Sequence, residues 1–72
     1  MKVVNPAWTR ACKVEIAARE LKKNDFYEQS GCKSREYGSA VLNGRAVSEK
    51  YAGMFSQFLG ITEPYLIDVD VG

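Results

Sequence analysis

Apolar residues recur at helical spacing in the first third of the chain. The segment opens with Asn5 and Pro6, a pair typical of a helix start because asparagine caps helix N-termini and proline suits the first helical position. An apolar stripe follows at alternating steps of four and three residues: Ala7, Ala11, Val14, Ala18 and Leu21. We therefore expect a first helix that packs this stripe, flanked by Trp8, against the core.

Two shorter helices, separated by a tight turn, are predicted next. The first covers residues 25–30 and stops at Gly31, which suits the positive φ found beyond helix C-termini. Ser34 then caps a helix that runs to about Leu42. Gly38 lies inside this helix, either because it permits a close approach to another helix or because it is merely tolerated. Two short helices around such a turn predict a helix-turn-helix-like unit.

The last third of the chain combines a helix with an extended tail. The helix begins after Ser48, ends at Gly60 and carries an apolar stripe made of Tyr51, Ala52, Phe55, Phe58 and Leu59. Residues 65–71 alternate, with Ile67, Val69 and Val71 on one face, and this alternation predicts a strand. Because a lone strand is unstable, we expect it to pair with residues 2–4, with another subunit or with a partner's sheet edge.

These elements predict a mainly α domain of four short helices, with a helix-turn-helix-like unit and a strand-like C-terminal tail. At 72 residues and 46% hydrophobic content, residues 1–72 are expected to form a single domain. Its core is thin, and a homodimer would be one way to gain stability. No apolar run reaches bilayer length and no signal peptide is visible. We therefore expect no membrane partner and a cytoplasmic location, which is the host cytoplasm for a phage product.

The composition argues against catalysis and metal binding. The chain lacks histidine, which is the commonest general base and the commonest metal ligand. Cys12 and Cys32 lack zinc-type spacing, and we expect them to be small buried hydrophobes rather than a disulfide. The expectation is a protein without enzyme activity, cofactor, metal or small-molecule substrate.

Charge is distributed unevenly along the chain, although the net charge is only +1. Residues 9–50 carry nine Lys or Arg against six Asp or Glu, whereas residues 51–72 carry three acids and no Lys or Arg. A basic body with an acidic tail fits DNA contact by the body alone, and it fits a protein-binding surface equally well. The charge therefore leaves both classes of partner open.

A longer pattern extends from Lys23 to Leu66. It consists of the turn glycine Gly31 and the segments SREYGSAVLNGR and VSEKYAGMFSQFLGIT. In these features the chain resembles the Cro and lambda-repressor-like family of helix-turn-helix phage regulators, whose recognition helix commonly ends in Asn-Gly-Arg/Lys. The chain departs from the family at Tyr27, where a small alanine is preferred, and at Ser30 and Tyr37, where aliphatic residues usually join the two helices.

The resemblance implies a small transcription regulator that binds operator DNA as a dimer. The helix after Ser34 would enter the major groove, with Arg35 reading guanine O6 and N7 through its planar fork. Ser39 would meet a base or a phosphate, and Glu36 would accept a hydrogen bond from cytosine N4. The contacts to the DNA backbone would come from Lys33, Ser34, Asn24 and Arg45. A solvated surface charge or a plain helix cap is the competing explanation for each residue.

A second interpretation is a protein-binding inhibitor that docks on bacterial RNA polymerase or another transcription factor and blocks host transcription. The nearly neutral charge favours it, and so do Glu36 and Gly38 within the supposed recognition helix. The interface would use aromatic side chains, if exposed, and the edge of the tail. The residues in question are Tyr27, Tyr37, Ile67, Val69 and Val71. Core packing is the competing explanation for both tyrosines.

Overall fold

The computed structural model describes residues 1–70. The elements follow in the order β1 (Lys2–Val4), α1 (Pro6–Ala18), α2 (Lys23–Gln29), α3 (Arg35–Leu42), α4 (Glu49–Leu59) and β2 (Leu66–Asp68). The predicted mainly α class, with four short helices and a strand in the C-terminal tail, is confirmed. None of the helices in this part of the chain is long and apolar enough to cross a bilayer.

The C-terminal tail pairs with the N-terminus of its own chain. β1 and β2 form an antiparallel two-stranded sheet in which Lys2 faces Asp68, Val3 faces Ile67 and Val4 faces Leu66. Three partners were considered for the tail, and the structure pairs it with residues 2–4 of its own chain. Val71, the last residue of the predicted apolar face, lies outside the described residues.

Asn5 connects this sheet to α1. Its backbone N–H donates to the carbonyl of Tyr65 over 2.8 Å, and its side-chain Nδ2 donates to the carbonyl of Pro64 over 2.9 Å. Its Oδ1 accepts from the backbone N–H of Ala7 over 3.1 Å, which confirms the predicted N-cap. One asparagine thus holds the start of the first helix and the approach to the last strand together.

The core lies between the four helices and is rich in aromatic side chains. It comprises Trp8, Cys12, Phe26, Tyr27, Val41, Leu42, Ala52, Phe55 and Leu59. Trp8 is fully buried, its Nε1 donates to Ser56 Oγ over 2.8 Å, and its ring meets Tyr65 edge-on with 4.6 Å between centroids. The predicted stripe of α4 is confirmed, since its members are buried or half-buried.

The prediction for the buried face of α1 is wrong. The helix turns Trp8, Cys12 and Ile16 inward, whereas Val14 is 61% exposed and Ala18 is exposed. Tryptophan buries about 150–250 Å², far more than alanine, so the helix rotates to bury the indole beside its Ser56 partner. The apolar stripe read from the sequence is therefore a second apolar face, which lies largely outside the core.

Helix boundaries differ from the predicted ones mainly between α1 and α2. α1 stops at Ala18, short of Leu21, and Glu20 takes the left-handed φ of 54°. α2 starts at Lys23 rather than Asp25, so Asn24 lies in its first turn. The helices after the turn begin as predicted: Ser34 Oγ accepts from the N–H of Tyr37 over 3.3 Å, and Ser48 Oγ accepts from the N–H of Tyr51 over 3.2 Å.

Both cysteines are free thiols. Cys12 is fully buried, as expected for a small hydrophobe, and burial together with the nearby charge of Glu63 raises the pKa of its thiol to about 12. Cys32 is half-buried at the turn between α2 and α3, where its Sγ donates to the carbonyl of Ser34 over 3.0 Å. The two thiols therefore occupy different environments, one inside the core and one beside the candidate site.

Candidate nucleic-acid interface

The turn between α2 and α3 spans residues 30–34 and holds the predicted helix-turn-helix-like unit together. Gly31 has a φ of 86°, a backbone conformation that glycine adopts at little cost, so the predicted role of the turn glycine is confirmed. Its N–H donates to the carbonyl of Glu28 over 3.2 Å, and the N–H of Cys32 donates to the carbonyl of Tyr27 over 2.8 Å. These bonds satisfy the last carbonyls of α2 and set the direction in which α3 leaves the turn.

Gly38 makes the close contact between α2 and α3. A Cβ at this position would lie 2.5 Å from Cys32 Sγ and 3.4 Å from two ring carbons of Tyr27. The tight neighbour of Gly38 is therefore the Cys32 side chain in the turn, while the Tyr27 ring of α2 lies at van der Waals distance. The large residue Tyr27 on α2 thus faces the small residue Gly38 on α3.

α3 presents polar side chains over a shallow depression on the protein surface. The depression measures about 420 Å³ and is lined by Asn24, Arg35, Glu36, Ser39 and Arg45. These five belong to the seven predicted DNA-binding residues, although they come from α2, α3 and the loop after α3. The fold thus brings together residues that are separated by up to 21 positions in the chain.

Hydrogen bonds hold the side chains of Arg35 and Ser39 in the depression. Arg35 Nη1 donates to Asn24 Oδ1 over 2.9 Å, which uses one of the five N–H donors of the guanidinium. Asn43 Nδ2 donates to the carbonyl of Ser39 over 2.8 Å and to its Oγ over 3.3 Å. Asn43 is a positioning residue that we did not predict, and the signal for it is the Asn-Gly pair that ends α3.

The remaining two predicted DNA-binding residues lie at the N-terminus of α3. Lys33 and Ser34 are exposed and do not line the depression. The Oγ of Ser34 accepts the cap hydrogen bond of α3, so its hydroxyl already has a structural role. Lys33 precedes this cap, where an exposed cation is available to a phosphate.

The residues of the alternative protein interface are divided between surface and core. Tyr27 is buried against Phe26 and Phe55, so its prediction as an exposed interface residue is wrong. Its ring fills the space that Gly38 leaves, which is why it faces inward. Tyr37 is 43% exposed and meets Tyr51 edge-on with 5.2 Å between ring centroids.

The tail residues of the same interface lie on the two-stranded sheet. Ile67 is half-buried opposite Val3, and Val69 is 39% exposed. Val71 lies outside the described residues. Within residues 1–70, no group of three or more Cys, Asp or Glu side chains is placed to hold a metal ion.

No protein-family model matches this chain, and neither a curated protein nor a solved structure matches it. The resemblance to Cro and lambda-repressor-like regulators therefore rests on the quoted sequence motifs. The structure therefore defines the class of protein only as a mainly α domain with a polar, partly basic surface around α3.

Proposed function

We propose that this protein is a small phage-type transcription regulator that binds operator DNA through α3, as a homodimer. The observation that supports the proposal is the convergence of Asn24, Arg35, Glu36, Ser39 and Arg45 on one shallow depression. An exposed surface that combines two guanidinium groups with short polar side chains is suited to the edges of base pairs and the flanking phosphates.

Arg35 is the residue proposed to read sequence. Asn24 accepts from one end of its guanidinium, which restricts the side chain while the other donors are available for guanine O6 and N7. Glu36 lies beside it and would accept from cytosine N4, and Ser39 would donate to a base or phosphate. Arg45 and Lys33 would neutralise phosphates at the two ends of α3, and this contribution weakens as salt concentration rises.

Affinity selection from a random double-stranded DNA library, followed by fluorescence anisotropy on the enriched site, tests the proposal. Arg35→Ala should weaken binding to that site by about 1–3 kcal/mol, or roughly fivefold to 150-fold, and relax its sequence preference. Lys33→Ala should weaken binding to all sequences similarly and lower the salt slope by about one. Lys50→Ala is the matched control, because this exposed cation on α4 lies outside the depression.

The absence of any enriched site, or binding that neither Arg35→Ala nor Lys33→Ala weakens, would contradict the proposal. A second measurement tests the oligomeric state. Analytical ultracentrifugation of the protein mixed with the enriched DNA site measures how many copies of the chain bind. Two copies per site are expected for a regulator that binds as a dimer.

The alternative is a protein that docks on host RNA polymerase and inhibits transcription. The observation that favours it is the exposure of Tyr37 next to Val47, which is 61% exposed. A pull-down from bacterial extract with and without nuclease separates the two functions. Capture of polymerase subunits that survives nuclease and is lost in Tyr37→Ala would support the inhibitor, whereas retained DNA that nuclease removes would support the regulator.

A further inference from the structure

α1 carries an apolar face that the core does not use. Val14 is 61% exposed, Ala17 and Ala18 are exposed, and Leu21 beyond the helix is only half-buried. Part of this face borders a groove between α1 and the C-terminal end of α3. The groove consists of two adjoining depressions of about 400 and 420 Å³, and Lys13 and Asn43 line both of them.

The groove has an apolar floor and a basic rim. Its floor is formed by the side chains of Val4, Ile16, Ala17, Leu21 and Leu42. Arg10, Lys13 and Lys23 also line it, all three exposed, and no Asp or Glu does. Within residues 1–70, the one ion pair joins Arg19 to Glu15, so the three rim cations have no acidic partner there.

We infer that this groove binds an acidic amphipathic helix of a partner protein. The three unpaired cations complement acidic side chains, and the apolar floor complements leucine-like residues at helical spacing. A nucleic acid would neutralise the cations but would leave the apolar floor without contacts, and this favours a protein segment. α1 has 13 residues and is about 20 Å long, which matches a partner helix of about four turns.

This inference goes beyond the proposed DNA binding and does not depend on it. The groove shares none of its lining residues with the depression around Arg35. The two surfaces nevertheless adjoin, because Lys23 and Asn24 are neighbours in α2, and Asn43 donates to Ser39. Because their lining residues are distinct, substitutions can alter one surface without changing the residues of the other.

A synthetic helix provides the test. The probe is a hydrocarbon-stapled, fluorescein-labelled peptide of about 14 residues with leucines at every third or fourth position and glutamates on both flanks. Its binding to the full chain is followed by fluorescence anisotropy at low ionic strength. Lys13→Glu, which reverses the cation shared by both halves of the groove, should weaken binding about fivefold to tenfold. Ala17→Glu, which adds an acid to the exposed part of the floor, should weaken it by a similar factor.

Two controls separate the groove from general attraction. Lys50→Glu makes the same charge change on α4, outside the groove, and should leave the affinity within about twofold. A peptide with lysines in place of the glutamates should bind at least tenfold more weakly. Circular dichroism checks that each variant is folded, and Arg10→Glu replaces Lys13→Glu if that variant is not.

The inference is overturned if the acidic peptide fails to bind at about 1 mM protein, or if the basic peptide binds as well. It is also overturned if Lys50→Glu weakens binding as much as the groove variants do. Arg35 does not line the groove, so Arg35→Ala should not alter the affinity for the peptide. A failure of peptide binding can therefore be distinguished from a failure of DNA binding.

Discussion

Replacing Gly38 with alanine tests whether the α2–α3 unit depends on a glycine at that contact. The added Cβ would lie 2.5 Å from Cys32 Sγ, well inside the roughly 3.5–4.0 Å at which nonbonded atoms pack. The sulfur has one rotatable bond with which to move away, and it would then give up its 3.0 Å contact with the carbonyl of Ser34. Tyr27 limits the other side, with ring carbons 3.4 Å from the new methyl group.

The magnitude follows from two opposing effects. On an unobstructed helix, Gly→Ala stabilises by about 1 kcal/mol, because alanine has the higher helix propensity. Overpacking a filled contact costs about 1–3 kcal/mol. We therefore expect Gly38→Ala to lower the free energy of unfolding by about 1 kcal/mol, which is about 2 kcal/mol below the helix-propensity expectation. In a Cys32→Ala background the sulfur is absent, and the same substitution should be neutral or slightly stabilising.

Urea denaturation of the four proteins in this double-mutant cycle measures the coupling. Trp8 is the single tryptophan and is fully buried, so its fluorescence reports loss of the core, and circular dichroism reports loss of the helices. Gly53→Ala is the matched control, because Gly53 also lies within a helix, α4, and a Cβ there would meet nothing within 4 Å. This control should gain about 1 kcal/mol, or roughly 4–8 °C in Tm.

Two results would refute this reasoning. If Gly38→Ala stabilises the protein as much as Gly53→Ala, the sulfur moves at no cost and the close contact is not restrictive. If Gly38→Ala destabilises the protein equally with and without the Cys32 sulfur, the cost comes from elsewhere in the α2–α3 contact. A coupling of about 1–2 kcal/mol between the two positions is the expected outcome.

Three further predictions concern stability. Burial and, to a smaller extent, the charge of Glu63 raise the pKa of the Cys12 thiol from 9.0 to about 12, so above pH 9 the unfolded chain loses a proton that the native state keeps. The stability difference between the wild type and Cys12→Ala should therefore shrink by about 1.4 kcal/mol per unit from pH 9 towards 12, and a constant difference in urea unfolding would contradict this. Arg19 donates from Nη1 and Nη2 to the last two carbonyls of α4, over 3.1 and 3.2 Å, so Arg19→Ala should cost about 1 kcal/mol and Arg19→Lys should recover only part of it, as measured by thermal unfolding. An unchanged Tm in Arg19→Ala would show that these bonds add nothing. The Tyr65 hydroxyl accepts from the N–H of Ser48 over 3.1 Å, so Tyr65→Phe should cost about 1 kcal/mol in the same assay, and equal stability would contradict that role.

Local signals in the sequence predicted much of the fold and part of the site. The caps Asn5, Ser34 and Ser48 and the turn glycine Gly31 have the predicted roles. Such features depend on a few neighbouring residues, so they can be recognised without tertiary information. Arg35 and Ser39 were singled out because the resemblance places them on the major-groove side of the helix after Ser34, and the structure places both beside Asn24 at one depression.

The errors lie where one helix had two possible faces. α1 offers an alanine-rich stripe with regular spacing and a second face that contains Trp8 and Cys12, and periodicity favoured the first. The tertiary structure buries the second face, because α4 supplies Ser56 as a partner for the indole N–H. Tyr27 was misplaced for a related reason: its burial depends on the space beside Gly38, which lies on another helix.

The sequence by itself therefore determined the four helices, three of their starts, after Asn5, Ser34 and Ser48, and the alternation that makes the tail a strand. The tertiary structure decided which face of α1 is buried, how α2 and α3 approach each other, and that the tail pairs with residues 2–4 of its own chain. The physical reason is the range of the interactions. Caps, turns and periodicity act between residues a few positions apart, whereas burial and strand pairing depend on distant segments that meet only in the folded chain.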